Sequence, residues 1–126
     1  MKIRLYQDSL RLRLSPDEVR QLDQTGNLHQ TTHFGVGVEL TCKLQMTAAA
    51  KEIHATLHNN TIVIDLPRTL ADNWAKGDQV GLTISQPAGD GRWLKILIEK
   101  DFECLHPQAN EPNASFYPNP RKLSST

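Results

Sequence analysis

The residues nearest to chemistry in this 126-residue chain are four cations close to its start, Lys2, Arg4, Arg11 and Arg13. The segment around them alternates apolar and polar residues, with Ile3 and Leu5 on one side of a short Gln7-Asp8 turn and Leu10, Leu12 and Leu14 on the other. A two-residue loop sets the register of such a hairpin. With Tyr6 opposite Ser9, the leucines and Ile3 share the buried face, and Arg4 faces Arg11 while Lys2 faces Arg13 on the other. Like charges directly across a strand pair destabilise it unless something offsets them. The offset could be a bound anion, because guanidinium forks suit phosphate and carboxylate. The commoner reading is that carboxylates of the same chain supply it, or that the long side chains splay into water. Lys2, Arg4, Arg11 and Arg13 are therefore the candidate anion-binding residues.

A second constellation arises in the same way. Ile53, Ala55 and Leu57, then Ile62, Ile64 and Leu66, flank an Asn59-Asn60 turn, and the register that pairs these sets places His54 opposite Asp65 on the outer face. The pair could serve as a base with its orienting carboxylate, but no serine or cysteine nucleophile accompanies it. A surface histidine and carboxylate in contact is the commoner reading. His33, Cys104 and His106 are metal-ligand types without a zinc spacing, so no metal site is assigned. Gly35-Val36-Gly37 and Gly89-Asp90-Gly91 are turn or bulge glycines, since neither opens a capped helix after a strand. Cys42 aligns with the inward residues of a strand and reads as a small buried hydrophobe. Cys104 sits among acidic neighbours that would raise its thiol pKa. No catalytic residue and no cofactor is assigned.

The elements that must hold these residues are two hairpins, two helices and further strands. Ser15-Pro16-Asp17-Glu18 is a capping box with proline at the first helical position, and Val19 and Leu22 give one apolar stripe until Gly26. After a polar connection from Asn27 to Thr32, residues Val36 to Met46 alternate as one long strand. Pro67 starts a second helix carrying Leu70, Ala71, Trp74 and Ala75, and Lys76-Gly77 closes it. Val80, Leu82 and Ile84 alternate, and Trp93 to Ile98 is apolar on both faces, as in a central strand. No internal repeat is evident.

Composition narrows the classes. Lys plus Arg number 14 and Asp plus Glu number 14, so no global field draws the chain to nucleic acid or an anionic membrane. The apolar runs are strand-length, with no signal-peptide core and no span, so a soluble, cytoplasmic protein is expected. Residues 1–106 read as a single domain, with residues 107–126 as a Pro/Asn-rich tail that is flexible or partly docked through Phe116-Tyr117.

Three segments together look familiar: Lys2-Ile3-Arg4 through Arg11-Leu12-Arg13-Leu14 into the capped helix, Thr32-His33-Phe34, and Glu99 through Leu105 with Pro118-Asn119-Pro120 downstream. The chain resembles a family of small uncharacterised bacterial proteins over nearly its whole length. The resemblance implies a bacterial, cytoplasmic origin, transfers no activity, substrate, cofactor or catalytic residue, and makes the Asn-Pro tail part of the family pattern. The expected fold is α+β, with about seven mostly antiparallel strands in a curved or barrel-like sheet and two short helices. The expected role is a non-enzymatic domain whose cationic hairpin engages an anion or an acidic protein segment; a separate possibility is a homodimer in which an exposed edge strand pairs with its twin. The alternative is a small hydrolase or transferase acting on a phosphorylated metabolite, with the arginines as clamp and His54 or His33 as acid-base group.

Overall fold

The computed structural model describes residues 1–102, and the tail 107–126, Cys104 and His106 lie outside that range. Eight strands and two helices follow in the order β1 (Lys2–Tyr6), β2 (Ser9–Leu14), α1 (Pro16–Thr25), β3 (Asn27–Gly35), β4 (Val38–Thr47), β5 (His54–His58), β6 (Thr61–Pro67), α2 (Arg68–Lys76), β7 (Gly81–Gly89) and β8 (Arg92–Lys100). They form two four-stranded sheets, β1-β2-β8-β7 and β3-β4-β6-β5. In each sheet the outer pairs are antiparallel and the central pair is parallel.

The expected α+β class holds, while three finer expectations are corrected. There are eight strands rather than seven, because the stretch read as a polar connection is the first part of β3. That strand is an edge with Leu28 as its one buried side chain, so it carries almost no period-2 signal. The long alternation from Val36 to Met46 begins only at Val38, with Val36 and Gly37 forming the turn between β3 and β4. The sheets are mixed and do not close into a barrel. At the seam between β7 and β5 the Gln86 side chain donates Nε2–H to the Ala55 carbonyl at 2.8 Å and its Oε1 accepts the Ala55 N–H at 2.9 Å. A side-chain amide thus takes the place of a strand ladder. The neighbouring Pro87 has no N–H to offer and is tolerated because β7 is an edge.

The two halves of the chain are one unit built twice, which corrects the expectation of no repeat. Hairpin, helix and hairpin occur in the same order in each half, and each sheet combines the first hairpin of one half with the second hairpin of the other. The registers coincide: Ser9 pairs with Lys95 and Thr41 with Thr61, so 52 residues separate Ser9 from Thr61 and 54 separate Thr41 from Lys95. Leu28↔Leu44 recurs as Leu82↔Ile98, and the bulge at His33/Gly35 recurs at Pro87/Gly89. Even the entry to the parallel pair repeats, with Lys95 N–H donating to the Asp8 carbonyl at 2.9 Å and Thr41 N–H to the Asn60 carbonyl at 3.0 Å. The repeat lies in backbone pairing and apolar spacing rather than in residue identity, and so escapes a reading by letters.

The inner faces of the sheets supply the core, including Leu10, Leu12, Leu14, Leu44, Ile64, Leu66, Ile96 and Ile98. Both helices pack at the end where β2, β8, β4 and β6 finish, with Leu22 and Trp74 at matching positions and both fully buried. Trp74 Nε1–H donates to the Val80 carbonyl at 3.0 Å, which satisfies its polar end inside the core. The capping box of α1 forms as read, with Glu18 N–H donating to Ser15 Oγ and Ser15 N–H to Glu18. The end of α2 is different from expectation. Gly77 has φ −98, outside the left-handed region, and glycine is needed because a Cβ there would stand 2.8 Å from the Asn73 carbonyl oxygen. Cys42 is buried as expected, and burial pushes its thiol up to about 11, which leaves it protonated and inert at neutral pH. Among the described residues no helix is long and apolar enough to cross a membrane.

Candidate functional site

The first hairpin has the register the sequence implied: Lys2↔Arg13, Ile3↔Leu12, Arg4↔Arg11, Leu5↔Leu10 and Tyr6↔Ser9. Alternation sends Ile3, Leu10, Leu12 and Leu14 inward and Lys2, Arg4, Arg11 and Arg13 outward, while Leu5, expected on the buried face, is 63% exposed near the tip of the edge strand β1. The parallel partner β8 extends this outer face, and its register sets Lys95 beside Ser9, Leu97 beside Arg11 and Glu99 beside Arg13. Three cross-strand rows result: Lys2, Arg13, Glu99; Arg4, Arg11, Leu97; and Tyr6, Ser9, Lys95.

Carboxylates of the chain offset part of this charge, and they do so at one end. Glu99 accepts from Arg11 Nε at 2.5 Å and lies 3.7 Å from Arg13 Nε, and Asp101 meets the Lys2 ammonium at 3.0 Å. Arg4 and Lys95 have no carboxylate partner among the described residues. The face is therefore a gradient among the described residues, partly neutralised at Lys2, Arg13 and Arg11 and positive toward Arg4 and Lys95. Lys95 was missed in the sequence because it interrupts an apolar run, and only the parallel pairing with β2 brings it to the hairpin.

Among the described residues, two concavities lie on this face. One of about 220 Å³ is lined by Lys2, Ile3, Arg4, Arg11 and Arg13, so all four sequence-derived cations converge on it. The other, of about 550 Å³, is walled by Arg4, Arg11 and Lys95 together with Leu5, Tyr6 and Leu97. Among the described residues no carboxylate lines either one.

The second constellation is brought together in register but not in contact. His54 is the cross-strand neighbour of Asp65, yet no ion pair joins them, and Asp65 Oδ1 instead accepts from Gln45 Nε2 at 2.6 Å. His33 pairs with Glu39 at 3.3 Å on the exposed part of the β3–β4 hairpin. The histidines His29, His33, His54 and His58 stand on β3 and β5, the two edges of the other sheet, and none lines a cationic concavity. Among the described residues no group of three or more His, Cys, Asp or Glu is placed to hold a metal.

A model of a family of unknown function, DUF7009, matches residues 1–121. The chain belongs to this family. The match runs past β8 and across most of the Asn-Pro tail, as the resemblance in the sequence implied. No curated protein and no solved structure matches the chain. For a DUF7009 chain with this register, function must be argued from the site.

Proposed function

We propose that this DUF7009 protein is a non-enzymatic binding domain of the bacterial cytoplasm that takes a small anion on the outer face of β1, β2 and β8, with Arg4, Arg11 and Lys95 as the principal contacts. The observation that supports this is internal to the fold. The second half builds the same hairpin in the same register, and where the first half has Lys2, Arg4, Arg11 and Arg13 it has His54, Thr56, Val63 and Asp65. Lys95 corresponds to Thr41 in the same way. The architecture therefore has no need of a cation stack, and one copy carries it at an electrostatic cost. An anion held between guanidinium forks would offset that cost and gain charge-assisted hydrogen bonds. A phosphate or carboxylate on a small molecule fits the two concavities better than a long acidic segment, since Glu99 and Asp101 already occupy the Lys2–Arg13 end of the face.

The hydrolase or transferase alternative needs an acid-base group beside the arginines. Among the described residues the histidines, His33 and His54 included, stand on the other sheet.

The test exchanges residues between the copies. Arg4→Thr combined with Arg11→Val places in the first hairpin what the second already folds with. Titration of inorganic phosphate and acetate at low salt, followed by amide NMR shifts, should show saturable shifts on β1, β2 and β8 in the parent chain and at least tenfold weaker binding in the double variant. Equal binding by the two proteins, or no binding by the parent, rejects the proposal.

A further inference from the structure

The larger concavity differs from the smaller in having an apolar side, and we propose that it selects an amphipathic organic anion, one carboxylate or phosphate head on an apolar body. This rests on the anion-binding reading above and names the ligand class for the same face. Arg4 and Arg11 line both concavities, so a head group held by them sits at the shared wall. Arg4 and Lys95, which have no carboxylate partner among the described residues, both belong to the larger one, which sets the end toward which an anion is drawn. From that wall the space runs past Leu5, Tyr6 and Leu97, and at about 550 Å³ it has the capacity of a small-molecule site.

Leu97 is the informative residue. It sits in β8 between the outward-facing Lys95 and Glu99, with Arg11 as its neighbour across the strand pair. In the matching row of the other sheet its place is taken by Lys43, beside Val63. An outward residue there can thus be charged without loss of the fold, and the first sheet sets an apolar side chain among cations. Tyr6, exposed at the end of β1, is matched by His58. Apolar surface beside unpaired cations favours ligands that bury carbon as well as charge.

The experiment compares acetate with octanoate on the full chain by calorimetry at one low salt concentration. Octanoate should bind at least tenfold more tightly than acetate, and Leu97→Lys should abolish that preference while leaving acetate binding equal or stronger. Leu97→Thr serves as a second variant, expected to reduce the preference, and unchanged unfolding midpoints show that both fold. Equal affinity of the parent for acetate and octanoate overturns this inference and leaves the anion-binding reading standing. A preference that survives in both Leu97 variants overturns it too, by placing the alkyl chain elsewhere. Failure of both ligands to bind rejects both readings together.

Discussion

The outer faces of the two sheets share a backbone and differ in almost every side chain. One presents Lys2, Arg4, Arg11, Arg13 and Lys95 with Glu99 among them; the other presents His54, Thr56, Val63, Asp65 and Thr41 with Gln45 where Glu99 would be. Inward, the two are nearly interchangeable: Leu10, Leu12 and Leu14 on one side, Ile62, Ile64 and Leu66 on the other, all buried. The difference separates what the fold requires from what it merely permits. Inward positions are held by packing, which any branched aliphatic of similar volume satisfies. Outward positions are free to diverge, and the binding role proposed for the first sheet rests on that freedom.

The comparison is tested most severely in the core. Trp74 and Leu22 occupy matching sites, and Trp74 fills more volume and donates its own hydrogen bond. Trp74→Ala should lower the unfolding free energy by about 3–5 kcal/mol and Leu22→Ala by about 2–4 kcal/mol. Denaturant unfolding with an unchanged slope would check both. A cost for Leu22 well above that for Trp74 would show that the halves do not share the core as the register implies.

Next come the seams. Gln86→Ala removes both hydrogen bonds to Ala55 and leaves its backbone N–H and C=O unpaired, a loss of about 1–3 kcal/mol in the same unfolding experiment. The matching residue, Thr32, makes no such bridge, so Thr32→Ala should stay within about 0.5 kcal/mol. Equal effects would mean that the two seams are closed alike.

The helix entries differ as well. Ser15 and Glu18 cap α1 reciprocally, whereas α2 begins at Pro67 with no side-chain cap. Burial pulls the Glu18 carboxyl upward, but hydrogen bonds from the Met1 amine and from Ser15 outweigh it and hold the group below its ordinary value of 4.5. A carboxyl that is more acidic when folded stabilises fully above its unfolded value, and the contribution fades as pH falls through the folded value. Glu18→Gln should therefore cost about 1 kcal/mol at pH 7, and the gap from the parent should close as the pH falls below the ordinary value of 4.5. A constant gap across pH would assign the loss to packing rather than to charge.

Both hairpins, both helices and most of the inward set were legible because short turns fix register and because Ser15 to Glu18 and the Asn59-Asn60 turn, with both φ values positive, are local signals; Leu5 and Leu57, on the edge strands β1 and β5, are exposed instead. β3 was not legible, since an edge strand with only Leu28 buried reads as a polar connection. The duplication was hidden for a related reason. Leu22 and Trp74, or Gly35 and Gly89, are equivalent by place and not by local context. At the site the four cations were readable from one hairpin, while Lys95, Leu97 and the partial neutralisation by Glu99 depend on a parallel pairing of segments more than 80 residues apart in sequence. The expected His54 and Asp65 contact failed because register fixes neighbours, whereas Gln45, reached only through the β4–β6 pair, competes for the carboxylate.

The smallest effect is the one that bears most directly on the comparison. Arg4 faces Arg11 across the hairpin and has no carboxylate partner among the described residues, whereas Thr56 faces Val63 in the other copy. Opposed like charges across a strand pair are worth roughly 0.2–1 kcal/mol. Arg4→Thr should therefore raise the unfolding free energy by about 0.5 kcal/mol at low salt. The gain should vanish near 1 M salt, where the screening length is about 3 Å. The converse change, Thr56→Arg, brings a cation opposite an uncharged Val63 and should alter stability little at any salt concentration. If Arg4→Thr instead destabilises the protein at low salt, the guanidinium has a structural partner, and the cation stack belongs to the fold. The second hairpin would then no longer show what the first could do without.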